Sequence, residues 1–148
     1  MKLVKALLAK MPLPQAYAHC DVPCGIYDSK ASQTSAATVK KMVEKMIALE
    51  KPESGDQMAM LNYKNTITRC ILVKEEHARI CKEELLILWT DFFKPEHLEK
   101  YPNLHDIFWK AAKLCSRNKQ EVSIQAAESL VSAVDEIANM VHAIQENL

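Results

Sequence analysis

Residues 126–144 read AAESLVSAVDEIANMVHAI. Within them Ala127, Leu130, Val134, Ile137, Val141 and Ile144 recur at steps of three and four, the spacing at which a helix lays an apolar seam against antiparallel neighbours. The pattern predicts a helix from about Gln120 to Ile144. Such a seam needs partners, and three more amphipathic stretches precede it. Leu104, Ile107, Phe108, Ala111, Leu114 and Cys115 share one face from Asn103 to about Arg117, just after Pro102. From Asp56 to about Phe93 a stripe of Met60, Tyr63 or Lys64, Ile67, Cys70, Ile71, Ala78, Cys81, Leu85, Leu88 and Phe92 predicts one long helix, or two with a kink, ending at Lys94-Pro95. Between Ser32 and Lys51, Val39, Met42, Val43, Met46 and Ile47 mark the inward face of another helix. The turn chemistry of Lys51-Pro52-Glu53-Ser54-Gly55-Asp56 ends that one. Four helices with short breaks predict an all-α fold, an up-and-down four-helix bundle.

Composition agrees. The 148 residues suit one domain and include only two glycines, which favours helices over sheets. Nineteen basic residues balance nineteen acidic ones, so no long-range attraction to nucleic acid or an acidic membrane is expected. No apolar run is long enough to span a bilayer. Five cysteines make an odd number, and Cys70, Cys81 and Cys115 fall within helical patterns. They read as small buried apolar residues, which fits a reducing, cytoplasmic setting. Cys70 and Cys81 lie eleven positions apart, roughly 16 Å along a straight helix, too far to share a metal or a disulfide.

The first eighteen residues, MKLVKALLAKMPLPQAYA, carry a small-x-small end at Ala16-Tyr17-Ala18. Lys5 and Lys10 leave only four unbroken apolar residues between them, short of an export core. Residues 1–18 therefore read as a prosegment removed by proteolysis, with export or organelle targeting as the alternative. Residues 19–148 read as the domain proper.

That domain would begin with His19-Cys20-Asp21-Val22-Pro23-Cys24-Gly25-Ile26-Tyr27-Asp28. Pro23 can pre-set a tight turn and Gly25 can adopt conformations closed to other residues, which would bring both sulfurs to one point. A C-x3-C pair alone is a weak metal signal, and buried or redox-active thiols explain it equally well. His19 adds to it. A cut after Ala18 frees an amine beside the imidazole. Amine nitrogen, Cys20 amide nitrogen, Cys20 sulfur and Cys24 sulfur then form a planar N2S2 set, with the imidazole above it. Planar nitrogen and sulfur donors suit nickel or copper(II) rather than zinc.

The run from His19 to Asp28 resembles the nickel hook of the nickel-containing superoxide dismutase family. A second stretch, Leu88-Trp89-Thr90-Asp91-Phe92-Phe93-Lys94-Pro95 followed by Glu99-Lys100-Tyr101-Pro102 and Leu104-His105, is similar to another signature of that family. The resemblance implies a bundle assembled as a homohexamer, one nickel per subunit, a processing peptidase, and conversion of superoxide to dioxygen and hydrogen peroxide. It implies that His19 gives its amine and axial imidazole, Cys20 its amide nitrogen and thiolate, and Cys24 the second thiolate. Asp21 would help hold the hook, Pro23 would be cis, and Tyr27 would set its hydroxyl near the open face. Three positions depart from the family pattern. Ser35 replaces a glutamate that steadies the hook histidine in some members, His77 stands where an arginine serves the same purpose, and Phe92 replaces a tyrosine. A non-catalytic nickel-binding or thiol redox protein that keeps the hook is the alternative function.

The remaining chemistry-bearing residues have plain readings. Trp89, Trp109, Phe92, Phe93 and Phe108 suit the core or subunit contacts. Lys94, Glu96, Glu99 and Lys100 read as a solvated turn. His77 and Cys81, four apart, can touch, and His97, His105 and His142 suit surface or capping roles.

Overall fold

The structure, a computed structural model, describes residues 25–53 and 55–146. Four α-helices hold most of them, and none of the described residues is in a strand. Helix α1 spans Lys30–Ala48, α2 Gln57–Ile87, α3 Leu104–Gln120 and α4 Ile124–Gln145. A π turn, Leu88–Phe92, prolongs α2, and a short 3-10 helix, Pro95–Leu98, leads toward α3. Three of the helix starts have a local cause. Asp56 accepts the Ala59 amide at 2.8 Å to begin α2, and Ser123 accepts that of Ala126 at 3.1 Å to begin α4. Ahead of α1, Asp28 accepts the Lys30 amide at 2.7 Å.

The helices pack in a ring, α1 on α2, α2 on α3, α3 on α4 and α4 back on α1. Side-chain bonds fix the antiparallel sense. Ser29 meets His142, Gln33 meets Asp135 and Lys40 meets Glu128, so α4 descends as α1 rises. Between α2 and α3, Lys74 reaches Asn118, Lys82 reaches Ser116 and Trp89, beyond the end of α2, reaches His105. The seam predicted on α4 is the spine of the core, with Ala127, Leu130, Val134, Ile137, Val141 and Ile144 all buried. A fully buried leucine such as Leu130 contributes roughly 1.5–3 kcal/mol. A smaller cluster of Val43, Met46, Cys70 and Ala127 closes the end near the α1–α2 turn.

The predicted long second element is one continuous helix, ending in the π turn. Two inward assignments fail. Ile47 is 59% exposed and Ile71 40% exposed. Each follows a residue that already faces the core, Met46 and Cys70, and one helical step turns the next side chain about 100° away. The turn between α3 and α4 also lies later than expected. Glu121 is extended, α3 runs on to Gln120, and Ser123 sets the start of α4.

One buried group had no sequence signal. The Lys74 side chain enters the core from α2 and its ammonium donates to the carbonyls of Asn118, Lys119 at 3.0 Å and Glu121 at 3.4 Å. These are carbonyls at the end of α3, where a cation meets the negative pole of the helix. Asn118, also buried, donates to Leu114 O at 3.0 Å and Ala126 O at 2.9 Å. The pair ties α2, α3 and α4 together at one corner. No helix among the described residues is long and apolar enough to cross a membrane.

Candidate metal centre

The expected ligands His19, Cys20 and Cys24, with Asp21, Pro23 and the segment 1–18, lie outside the described residues. The description begins where the hook meets the bundle. Gly25 has φ +70°, a left-handed conformation that a side chain would strain even though the space around it is open. This is the conformational licence expected of the glycine after Cys24. Ile26 is exposed, Tyr27 half-buried, and Ser29 fully buried.

Residues 27–29 are held from several sides. The Gln145 side-chain amide, at the end of α4, donates to the Tyr27 carbonyl at 2.8 Å. Ser29 Oγ lies 3.4 Å from His142 Nε2. The Ser29 carbonyl accepts the Ser32 hydroxyl at 2.7 Å and the Gln33 amide at 3.1 Å. The hook base is thus anchored where the α1 start and the α4 end meet.

An aromatic wall completes the corner. The Tyr27 ring sits 5.7 Å from Phe92, whose ring meets Phe93 edge-on at 5.0 Å. Phe93 meets Phe108 at 5.4 Å, and Phe108 stacks on Trp89 at 5.8 Å. Phe92, Phe93 and Phe108 are buried as expected, whereas Trp109 is 54% exposed with Lys113 over its ring. The π turn aims the wall. Phe93 N–H bonds Leu88 O at 3.1 Å across five residues, a widened turn that resets the direction of the side chains following it. Phe92 takes the place expected for a second phenol, so Tyr27 is the hydroxyl-bearing ring of this wall.

The histidines for which sequence spacing named no partner each have one. His97 Nδ1 accepts the Lys94 amide at 3.1 Å, a capping role, and His105 Nδ1 accepts the Trp89 indole N–H at 2.8 Å. His142 faces Ser29 as described. His77 is half-buried on α2, roughly 20 Å along the helix from Phe92, and its Nδ1 is buried with no hydrogen-bond partner among the described residues. Ser35, on the facing helix, is buried. The neighbours of His77 on the helix surface are charged. Arg79 donates to Glu76 at 2.7 Å and to Glu83 at 2.6 Å, and its hydrogen bond holds the Glu76 carboxyl below the usual range.

Cys70, Cys81 and Cys115 are buried free thiols, as the helical pattern implies. Cys81 meets Cys115 across α2 and α3, and that hydrogen bond together with burial pushes the Cys81 thiol well above its ordinary range. Among the described residues no group of three His, Cys, Asp or Glu side chains is placed to hold a metal ion. The donors named from the sequence, an amine, an amide, an imidazole and two thiolates, fit nickel by their chemistry.

Comparison with known proteins bears on the same segment. A family model described as nickel-containing superoxide dismutase matches residues 14–144, the hook included. The nickel superoxide dismutase of Streptomyces coelicolor is 34% identical over 123 residues, covering 81% of this chain and 85% of that protein. That of Streptomyces seoulensis is 34% identical over 129 residues, covering 85% and 89%. Among solved structures, a native nickel superoxide dismutase at 1.30 Å superposes with a TM-score of 0.72 at 30% identity, over 86% of this chain and 99% of that one. A nickel-containing superoxide dismutase with ligation corresponding to the oxidized state gives 0.73 at 30% identity and the same coverage.

Proposed function

Because this chain belongs to the nickel-containing superoxide dismutase family, we propose that it converts superoxide to dioxygen and hydrogen peroxide at a nickel centre built on its processed amino terminus. The observation that carries this is the family match running through the hook, residues 14–144. The curated relatives are both named superoxide dismutases, and the non-catalytic alternative is not favoured.

Nickel is the cofactor, and when bound it supplies one-electron exchange between its divalent and trivalent states. The protein's own residues make that exchange reachable. His19 would hold it through its free amine and its imidazole. Cys20 would give a deprotonated amide and a thiolate, and Cys24 the second thiolate. These anionic donors favour the higher charge state, which hydrated nickel resists. Two superoxide ions are consumed per cycle, one losing an electron to leave as dioxygen, the other gaining an electron and two protons to leave as hydrogen peroxide. Tyr27, packed on Phe92, offers its hydroxyl to the entering anion. Asp21 and Pro23 hold the hook's shape. His77, whose buried Nδ1 has no hydrogen-bond partner among the described residues, would steady the His19 imidazole in place of the family's arginine.

The finer organisation follows the family. Residues 1–18 are a prosegment removed by a processing peptidase, six subunits assemble with one nickel each, and the cytoplasm is the working compartment.

Processing is the test. A chain beginning at His19 should take up nickel and dismutate superoxide, whereas one residue added ahead of His19 should abolish both turnover and the normal nickel spectrum, because a peptide nitrogen cannot replace the free amine. Full activity in a chain that retains Met1 to Ala18 would overturn the ligand set.

A further inference from the structure

The seam between α1 and α2 holds an open groove of about 570 Å³, a size usual for small-molecule sites. Met42, Leu49, Cys70 and Val73 give it an apolar lining, Lys45 and Arg69 add two cations, and no carboxylate is among the lining residues. The other two arginines are neutralised close by in sequence, Arg79 by Glu76 and Glu83 and Arg117 by Glu121. Arg69 has no such neighbour. Three and four positions from it stand Asn65, Thr66, Leu72 and Val73, and none is acidic. The corresponding positions around Lys45 are Lys41, Met42, Ala48 and Leu49, so neither cation has an acid within helical reach. Nor does one arrive from across the seam. Ion pairs join α1 to α4 through Lys40 and Glu128, and α2 to α3 through Glu75 and Lys119, but among the described residues none joins α1 to α2. Lys45 at least lies in the last turn of α1, where the helix pole favours a cation. Arg69 is in mid-helix. Two like charges thus share one apolar groove without a counter-charge, an arrangement that an anion would relieve.

We propose that this groove binds a small amphiphilic carboxylate, an acid carrying an unbranched apolar tail. The Arg69 guanidinium takes the carboxylate as a two-pronged donor, Lys45 adds the second positive charge, and the tail lies along Met42, Cys70 and Val73. The apolar lining alone would admit any oily molecule, and the unpaired cations alone any anion. Their coincidence in one groove selects a ligand that has both parts. A second copy of the chain is the poorer occupant, because a two-fold contact across this groove would set like charge against like.

The test titrates the full chain with decanoate by calorimetry, and with decanol and acetate, which carry the tail and the charge separately. Decanoate should bind saturably below its micelle concentration, and each of the other two at least about tenfold more weakly. Amide hydrogen exchange should slow on binding at residues 42–49 and 66–73. Arg69→Gln should weaken decanoate about tenfold, the worth of one charge-assisted hydrogen bond, and Lys45→Gln a few-fold. Arg69→Lys should recover only part of the loss, since an ammonium has no fork. Arg69 is exposed, so Tm should hold in all three variants. No saturable binding of decanoate would overturn the proposal, as would equal binding of decanol or an unchanged affinity in Arg69→Gln. Two results would hand the groove to another occupant and overturn it as well. One is slow exchange at residues 42–49 and 66–73 without ligand that is lost as subunits dissociate, the mark of a second copy. The other is sedimentation with phosphatidylglycerol vesicles, abolished by Arg69→Gln, in a protein that ignores decanoate.

Discussion

In the proposed ligand set, His19 would combine two donors of different consequence. Its amine would bind nickel alongside both sulfurs, while its imidazole would raise the electron density that a trivalent metal needs. Removing only the second separates binding from turnover. His19→Gln is expected to keep nickel, measured by metal analysis, and to lose most dismutation together with the trivalent signal in electron spin resonance. His77→Ala should act in the same direction but modestly, a few-fold loss of turnover, because the role proposed for its Nδ1 is only to orient the ring. Wild-type turnover in His19→Gln would mean that the axial ligand is dispensable. At this scale the sequence was most informative about chemistry and least about support. The proposed ligand types stand within ten consecutive residues, so the sequence offers them together. Gln145 meets Tyr27 and His142 meets Ser29 over separations of 118 and 113 residues, and no local pattern encodes such a meeting.

Helix α2 shows the same division one level up. Its apolar stripe was legible because burial repeats every three or four residues, and its start was legible in Asp56. Lys74 was not. A lysine inside an apolar stripe looks like a break in the pattern until the end of α3 arrives beside it with three carbonyls to satisfy. The ammonium then replaces water for groups that burial has cut off. Lys74→Met keeps the buried stem and removes the donor, leaving those carbonyls beside an apolar side chain. Its expected cost is about 2–3 kcal/mol, a fall of roughly 5–10 °C in the thermal midpoint of the metal-free chain, read by circular dichroism. A midpoint unchanged within a degree would show that water reaches the α3 end and that the lysine is not its cap.

At the scale of the whole molecule, the bundle and the proposed metal centre draw on different parts of the chain. Among the described residues every buried apolar core residue lies between Ala36 and Ile144, and every proposed ligand precedes Gly25. Fold and site should therefore fail separately. Cys20→Ser and Cys24→Ser are each expected to abolish activity and the thiolate-to-nickel absorption, since a hydroxyl stays protonated near neutral pH and binds nickel poorly. Helical circular dichroism should stay at the wild-type level in both. A variant that kept near-normal dismutation would show that its sulfur is not a ligand.

The widened turn at Leu88–Phe92 carries one residue more than a regular helix would use over the same rise. It therefore acts as a clocking device. Were the same five residues wound as ordinary α-helix, every side chain beyond them would swing by about 100° about the axis. Phe92 would then leave the Tyr27 ring and Phe93 would leave Phe108. Deleting one residue while the turn closes to ordinary helix would instead keep that phase, so the extra residue and the widening compensate one another, and the constraint acts on the pairing of length with turn type rather than on the identity of any one side chain.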